Sequence, residues 1–186
     1  MKPLEIANAF DHYFATIGKN MASKIPHKGG YENYVRQSHG RFELAIPDCV
    51  IIEKIMKNQQ PKMSCGKDTI NDRIVKTCCK ELAEPMAIII ANSIREAHVP
   101  GAFKIARIIP LFKKGQANDC GNYRPVSLLS ALSKILEKVI CQQLMTHLEQ
   151  NGSLCPNQFG FRPKCQTAYV VHKLCLLYTS PSPRDS

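Results

Sequence analysis

The sequence lacks any apolar run long enough to cross a membrane. Its longest strongly apolar stretch, residues 86–91, is far shorter than the roughly 20 residues that a spanning helix needs. The first residues also lack the charged-then-apolar pattern of a secretory leader. We therefore expect no membrane partner, no signal peptide and a cytoplasmic or nuclear location.

The nine cysteines lack the spacing of a disulfide framework or of a zinc site. No two of them form a C-x-x-C pair, and Cys155, Cys165 and His172 are spaced unlike the usual zinc-ligand pairs. In a chain without an export signal, such thiols are expected to be reduced and mostly buried. We predict that this chain binds no metal.

Acidic residues are scarce relative to basic ones. The chain has 25 Lys and Arg against 15 Asp and Glu, which gives a formal net charge of +10 at pH 7. Such an excess favours a polyanionic partner such as nucleic acid, although an inert, solvated basic surface fits the composition equally well. The hydrophobic content of 44% is that of an ordinary folded domain rather than of a disordered chain.

The first part of the chain shows helical periodicity. In residues 3–25, apolar side chains recur at three- and four-residue steps, which predicts an amphipathic helix. Phe10 and Phe14 lie on its apolar stripe, and we expect these two rings to pack against the protein rather than to bind a ligand. Residues 29–40 are polar with paired glycines, which is typical of a linker.

Three helices are predicted in the next part of the chain. Residues 42–46 alternate like a short strand, and Asp48 then stands where the N-cap of a helix belongs. Two more helices are predicted over residues 70–79 and 82–98. Pro85 is expected in the first turn of the second one, where its missing N–H costs little.

A hairpin and a long helix follow. Residues 104–112 and 123–129 read as two short strands joined by a long polar tip, and the proline in the first strand suits a sheet edge. Ser130 or Ser133 can cap a long helix that ends before an Asn-Gly pair. The fold class predicted from these elements is α+β and rich in helix.

Five short motifs occur in order along the chain: SCGKDTI at 64–70, ARIIPLFKKG at 106–115, NYRPVSLL at 122–129, SKILEKVI at 133–140 and QFGFR at 158–162. Together they resemble the early motifs of reverse transcriptases from non-LTR, LINE-type retrotransposons of the jockey-like kind. The resemblance covers residues 5–174. One such motif alone is weak, but five in the same order are specific.

The resemblance implies the fingers subdomain, with an N-terminal extension, of a right-hand polymerase whose palm is absent from this chain. The parent would be an RNA-directed DNA polymerase, a nucleotidyltransferase that copies an RNA template from a DNA primer with dNTPs and magnesium. The fragment would lack the palm and thumb and would be inactive alone.

Three basic residues of the hairpin are the candidate nucleotide-binding residues. Lys113 and Lys114 stand on one side of the predicted tip, and Arg124 opens the return strand. Arginine offers phosphate a planar fork and lysine a mobile point charge. The resemblance assigns Arg124 and one of the two lysines to the triphosphate of the incoming nucleotide. Taken without the motifs, the two lysines fit a solvated turn and the arginine fits a pair with a carboxylate.

A second set of candidates resembles the family's template-contacting elements. Gln158, Gly160, Phe161 and Arg162 belong to the QFGFR motif, where glycine permits close approach and Phe and Arg can stack on or pair with a strand. A packing corner with a core phenylalanine is an equally good interpretation. Lys67 is a further candidate for nucleic acid, in a segment whose neighbour Asp68 is expected to cap the helix that begins near residue 71.

The carboxylates that such a polymerase uses to hold two magnesium ions are missing. No aspartate occurs between positions 120 and 184, and Asp68 and Asp72 lie upstream of the fingers at a helix start. We therefore predict no catalytic residue and no metal ligand here, and assign magnesium to the intact parent. An apolar face is expected to pack on the missing palm, with four candidates: Leu128, Leu129, Ile135 and Val139.

The chain is expected to have three parts. Residues 1–60 form a helical N-terminal extension and linker, and residues 61–174 the reverse transcriptase fingers region. Residues 175–186 resemble one reading frame of a sequencing-library adaptor and are expected not to be native, the alternative being a Ser/Pro-rich disordered tail. A non-catalytic nucleic-acid-binding remnant or recruited fingers module is the rival function, and a purely structural helical protein is a third.

Overall fold

The computed structural model describes residues 2–26, 41–155, 157–162 and 166–179. Within these ranges lie six α-helices and one two-stranded antiparallel sheet. The fold is therefore helix-rich and α+β, as predicted, and the predicted linker over residues 29–40 lies outside the described ranges. The helices are α1 (Pro3–Ala22), α2 (Cys49–Lys57), α3 (Asp72–Thr77), α4 (Cys79–Arg95), α5 (Ser133–Gln150) and α6 (Thr167–Thr179), and the strands are β1 (Arg107–Phe112) and β2 (Tyr123–Leu128).

The chain divides into two compact units, residues 1–37 with 42–143 and residues 38–41 with 144–186. The hydrophobic core of the first unit is built by α2, α3, α4 and the first half of α5. Its fully buried side chains are Ile52, Met56, Val75, Met86, Ile90 and Ile135. The division predicted at residue 60 stays a prediction about the parent chain, although α2 itself shares this core with the later helices.

Two residues predicted to face the missing palm lie in this core instead. Ile135 and Val139 are buried on the inner side of α5, while Leu128 and Leu129 are half-buried. The prediction was wrong for the two helical residues because the apolar side of α5 packs on the core of α2, α3 and α4. Exposed apolar side chains occur on the hairpin, and others lie on α1, α2, α4 and α6.

One helix start was predicted correctly from the sequence, and another was not. Asp48 caps α2 as predicted, since its Oδ1 accepts a hydrogen bond from the backbone N–H of Ile51 at 2.7 Å. Pro85, however, lies inside α4 rather than in its first turn. The expected position was wrong because α4 already begins at Cys79, directly after the Cys78 that ends α3.

The short strand predicted over residues 42–46 is absent, because residues 41–48 form no regular element. Ala45 nevertheless has a partner of the kind a strand would supply. Its N–H donates to Oε1 of Gln143 at 2.8 Å, and its carbonyl accepts from Nε2 of Gln143 at 2.9 Å. A single side-chain amide on α5 thus replaces the neighbouring strand and satisfies both backbone groups.

The second unit contains the end of α5, a loop and α6. Gly152 adopts φ +59° just after α5, which is the left-handed conformation that ends many helices. Helix α6 runs without interruption across positions 174 and 175, and none of its residues is buried. The adaptor origin of residues 175–186 remains a prediction, and residues 180–186 lie outside the described ranges.

The cysteines of the described ranges form no disulfide, and they are not mostly buried, contrary to expectation. Of the eight that the described ranges include, only Cys79 is buried, and four are exposed: Cys49, Cys141, Cys155 and Cys175. The prediction failed because the core is filled by aliphatic side chains from α2 to α5, and most cysteines fall on the outer sides of helices or in loops. Within the described ranges no helix is both long and apolar enough to cross a membrane.

Candidate nucleotide and nucleic-acid interface

Strands β1 and β2 form an antiparallel hairpin with a fixed register. Leu111 pairs with Arg124 and Pro110 with Pro125, and the N–H of Lys113 donates to the carbonyl of Asn122 at 2.8 Å. That bond makes 113–122 and 111–124 hydrogen-bonded pairs, since such pairs alternate along an antiparallel ladder. The two prolines then occupy a non-hydrogen-bonded pair, where a missing N–H costs no ladder bond. Both exposed edges of the sheet are thereby blunted.

The same register sorts the basic residues by face. Side chains at alternate positions of a strand share a face, and so do the two members of a cross-strand pair. Leu111, Lys113 and Arg124 therefore lie on one face of the hairpin, which we call the Arg124 face. Lys114 is one residue further and falls outside this set.

The candidate cations are exposed, and no carboxylate in the described part of the chain pairs with them. Lys57 pairs with Glu53 and Lys134 with Asp72, whereas Lys113, Lys114 and Arg124 form no ion pair with another described residue. Their charges are therefore not neutralised by a carboxylate within the described ranges. A phosphate group approaching the tip would supply the missing counter-charge.

The tip itself is held by its own side chains. Gly115 adopts φ +96°, and the Asn122 amide lies where a Cβ at Gly115 would stand. Asn122 Nδ2 donates to the carbonyl of Gln116 at 3.0 Å, and Oδ1 of Asp119 accepts from the N–H of Gly121 at 2.8 Å. Tyr123 closes the arrangement by donating its hydroxyl to the carbonyl of Ala117 at 3.0 Å. A long tip is thus braced at three points, next to Arg124.

Helix α1 packs on the base of this tip through aromatic rings. Phe10 meets Tyr123 edge to face, with ring centroids 4.7 Å apart, and Tyr123 also lies 5.2 Å from Phe112. Phe10 and Phe14 stack at 5.7 Å along the helix. The prediction that the aromatic stripe of α1 is a packing face is therefore confirmed.

The Arg124 face carries exposed apolar side chains as well as cations. Ile109, Leu111 and Val126 are 41%, 55% and 39% exposed, and the exposed Arg107 lies at the far end of the same face. Isolated two-stranded hairpins are marginally stable, and an uncovered apolar face of this kind is usual where another surface docks.

The segment SCGKDTI docks against the start of α5. Gly66 is buried, and a Cβ there would stand 2.8 Å from the backbone N of Ser130 and 2.9 Å from the carbonyl carbon of Leu129. Only glycine permits so close an approach. The Ser130 hydroxyl donates to Oδ2 of Asp68 at 2.5 Å, and this bond links segments 62 residues apart.

Asp68 does not cap α3, contrary to the prediction. The cap is Asn71, whose Oδ1 accepts from the N–H of Ile74 at 2.9 Å, while Asp68 accepts from Ile70 and from Ser130. The prediction failed because a carboxylate before a helix looks the same in sequence whether its partner is local or distant. Lys67, between these contacts, is exposed.

An ion pair completes the same junction. Lys134 Nζ lies 3.2 Å from both carboxylate oxygens of Asp72, which is only 3% exposed. Lys134 and Ser133, whose hydroxyl donates to the Ser130 carbonyl at 2.9 Å, therefore have structural contacts within this junction. Asp72 is thus held by Lys134 and Asp68 by Ser130.

The two phenylalanines in the loop of the second unit lie in different environments. Phe159 packs 5.6 Å from the ring of Tyr169, and the Lys173 ammonium lies 5.2 Å from its centroid. Phe161 instead is fully exposed and adopts φ +61°, a strained conformation for an aromatic residue. The packing-corner interpretation thus applies to Phe159 and not to Phe161.

The other candidates of this loop show less distinctive features. Gln158 and Gly160 are exposed, and Gly160 has open space where a Cβ would lie. Arg162 is half-buried, and its Nη1 donates to the carbonyl of Cys155 at 3.4 Å. Arg162 therefore contributes to the shape of the loop.

The residues that hold the candidates in place were not predicted from the sequence. Asn122 and Tyr123 brace the tip, and Ser130 anchors the SCGKDTI segment. A signal for the first two was present, because an Asn and a Tyr directly before the key arginine stand at the closing end of a glycine-containing turn. No local signal pairs Ser130 with Asp68.

Comparison with known proteins identifies a group of relatives, while no protein-family model matches. The chain is 30% identical over 138 residues to the RNA-directed DNA polymerase from mobile element jockey of Drosophila funebris, covering 72% of this chain and 15% of that polymerase. It is 33% identical over 125 residues to the probable RNA-directed DNA polymerase from transposon BS of Drosophila melanogaster, covering 67% and 14%.

A third relative extends the group. The retrovirus-related Pol polyprotein from type-1 retrotransposable element R1 of Bradysia coprophila is 30% identical over 102 residues, covering 54% of this chain and 10% of that protein. The resemblance carried by the five motifs is therefore confirmed. The chain spans 15% or less of the length of these curated relatives.

Proposed function

This chain belongs to the jockey-like, non-LTR retrotransposon RNA-directed DNA polymerases, and on that premise we propose that it forms the fingers of such an enzyme and binds the triphosphate of the incoming dNTP. The observation that carries the proposal is the Arg124 face. There Lys113 and Arg124 share one side of a braced hairpin, with no carboxylate partner among the described residues. Phosphoryl transfer depends mainly on positioning and on stabilising charge, so two fixed cations suit the task.

Between the two lysines, the hairpin register favours Lys113. Lys113 continues the ladder by its bond to Asn122 and is two residues from Leu111, the cross-strand partner of Arg124. Lys114 begins the turn and falls outside the alternation. A single triphosphate bound on the Arg124 face would therefore reach Lys113 and Arg124 together, while Lys114 would act only through its general positive charge.

The template is proposed to contact the QFGFR loop and the exposed Lys67. Phe161 is the strongest of these candidates, because a fully exposed ring on a strained backbone is poised for stacking on a base. Gln158, Gly160 and Arg162 would shape the same contact. Lys67 lies in the first unit and would contact a phosphate as a point charge.

The chemistry of the parent enzyme is proposed to lie outside this chain. We infer that the parent copies an RNA template from a DNA primer, with magnesium held by carboxylates that follow these residues in sequence. Magnesium would stabilise the charge that develops on the transferred phosphates. This chain contributes the cations of the hairpin and the template contacts, and we predict no polymerisation by it alone.

The test is a binding experiment on this chain with matched variants. Addition of dATP to the isotope-labelled chain, followed by NMR, should shift the backbone resonances of residues 111–124. Lys113→Ala and Arg124→Ala should each raise the Kd about tenfold or more, since each removes a charge-assisted contact to phosphate. Lys104→Ala, which removes one exposed positive charge outside the hairpin strands, is the control and should have little effect.

Two results would count against the proposal. If Lys104→Ala weakens binding as much as Arg124→Ala, the hairpin contributes only net charge and no built site. If Lys114→Ala weakens binding more than Lys113→Ala, the assignment of the lysine by hairpin face is wrong.

A further inference from the structure

The contact between helix α1 and the hairpin lies outside the phosphate site. Phe10 meets the ring of Tyr123 edge to face at 4.7 Å, and the Tyr13 hydroxyl oxygen lies 3.1 Å from where a Cβ at Gly121 would stand. Helix α1 therefore covers the closing end of the tip, at the residues that directly precede Arg124. Nothing in the phosphate chemistry itself requires this helix.

Tyr123 transmits that contact in two directions. Its hydroxyl holds the carbonyl of Ala117 in the middle of the tip, and its ring packs against Phe112, the residue before Lys113. Arg124 is its immediate neighbour in the chain. The Tyr123 side chain thus contacts the tip and lies at the ends of both strands, next to the cations. Helix α1 holds the Tyr123 ring in place through Phe10.

We propose that Phe10 is a positioning residue for triphosphate binding, acting through Tyr123 on Lys113 and Arg124. The inference rests on the proposed function, because it names what orders that site. A two-stranded hairpin is marginal without support, and its long tip would sample many conformations if α1 did not cover it. Helix α1 raises the fraction of molecules whose tip is in the binding conformation, and the apparent affinity rises with that fraction.

The expected effect is moderate and local. An edge-to-face ring pair stabilises its ordered arrangement enough that removing Phe10 should raise the Kd for dATP about three- to tenfold. Tip amides, among them the Gly121 N–H bonded to Asp119, should exchange with solvent faster by a similar factor. The core amides of α4 should be unaffected, because α1 contributes no side chain to that core.

The experiment combines hydrogen exchange and dATP binding on the 186-residue chain. Phe10→Ala is compared with Met21→Ala, which removes an exposed apolar side chain from the same helix, and with Phe10→Tyr, which keeps the ring. Phe10→Ala should raise both the exchange rate of residues 113–122 and the Kd. Met21→Ala and Phe10→Tyr should leave the exchange rate and the Kd near the wild-type values. If loss of any apolar side chain simply unfolded α1, Met21→Ala would raise both quantities as well.

The outcomes separate the two proposals. If Phe10→Ala leaves tip exchange unchanged, or speeds it without changing the Kd, the positioning role is overturned. If the wild-type chain shows no shift of hairpin resonances with dATP, the proposed function fails. Should Met21→Ala act as strongly as Phe10→Ala, the effect belongs to the helix as a whole and the specific contact is refuted.

Discussion

Replacement of Gly66 by alanine tests the junction that joins the SCGKDTI segment to α5. The new Cβ would stand 2.8 Å from the Ser130 nitrogen and 2.9 Å from the Leu129 carbonyl carbon. Both neighbours are backbone atoms, so no side-chain rotation relieves the clash. The junction must open by several tenths of an ångström, and the bond from Ser130 to Asp68 must lengthen with it.

The magnitude follows from two opposing effects. Overpacking at a well-packed site costs about 1–3 kcal/mol, and backbone neighbours favour the upper part of that range. Against this, Gly→Ala restricts the unfolded chain and stabilises by about 0.4–1 kcal/mol. The net loss in the free energy of unfolding should therefore be about 1–2.5 kcal/mol.

The assay is urea unfolding followed by circular dichroism, with Gly101→Ala as the matched control. Gly101 has no heavy atom within 4 Å of the position of an added Cβ, so its variant should be neutral or slightly stabilising. With a slope of about 1–2 kcal/mol per molar urea, Gly66→Ala should lower the midpoint by about 1 M. If the two variants unfold at the same urea concentration, the close approach at Gly66 is not real.

Three further substitutions test other contacts. Lys134→Met should lower the free energy of unfolding by about 3 kcal/mol or more, because it leaves the buried Asp72 carboxylate unpaired. In a double-mutant cycle, adding Asp72→Asn should recover most of that loss. If the two losses are independent and additive, the pairing is contradicted. Phe161→Ala should weaken binding of single-stranded RNA by about 1–3 kcal/mol without changing the melting temperature, whereas equal RNA affinity would remove Phe161 from the template contact. Asp48→Ala should lower the free energy of unfolding by about 1 kcal/mol in a thermal melt, and an unchanged melt would show that the cap is replaceable.

The elements that the sequence predicted well are those with strong local signals. The stripe of α1, the cap at Asp48 and the Asn-Gly end of α5 each depend on neighbours within one or two helical turns. The hairpin was also predicted, with β1 and β2 close to the expected bounds. In each case the spacing of apolar side chains and the turn residues determine the local structure.

The failures share a different cause, which is contact over long sequence distances. Asp68 bonds to Ser130, and Ala45 bonds to Gln143, where only a local cap and a strand were predicted. Val139 is buried in a core that it shares with residues of α2, α3 and α4. A helical stripe alone does not say whether the surface that buries it lies in this chain or in a missing palm. Tertiary partners of this kind carry no local signature.

For the candidate site, the motif order suggested the candidate residues, and the structure shows how they are arranged relative to one another within the hairpin and within the loop. The sequence left Lys113 and Lys114 equivalent, and the ladder bond to Asn122 separates them by face. The sequence named Phe161 as a candidate and left a packing corner as the alternative; Phe159 packs on Tyr169, whereas Phe161 is fully exposed. Both distinctions depend on three-dimensional geometry, which residue types and their spacing alone do not determine.

Photolabelling tests the central claim most directly. A dATP analogue with a photoreactive group on its γ-phosphate is bound to this chain, irradiated and mapped by mass spectrometry after proteolysis. The label should concentrate in residues 111–124 and should be lost in the Lys113→Ala, Arg124→Ala double variant and with excess unlabelled dATP. Label spread over the exposed lysines of α2 and α4, or retained in the double variant, would contradict a triphosphate site on this hairpin.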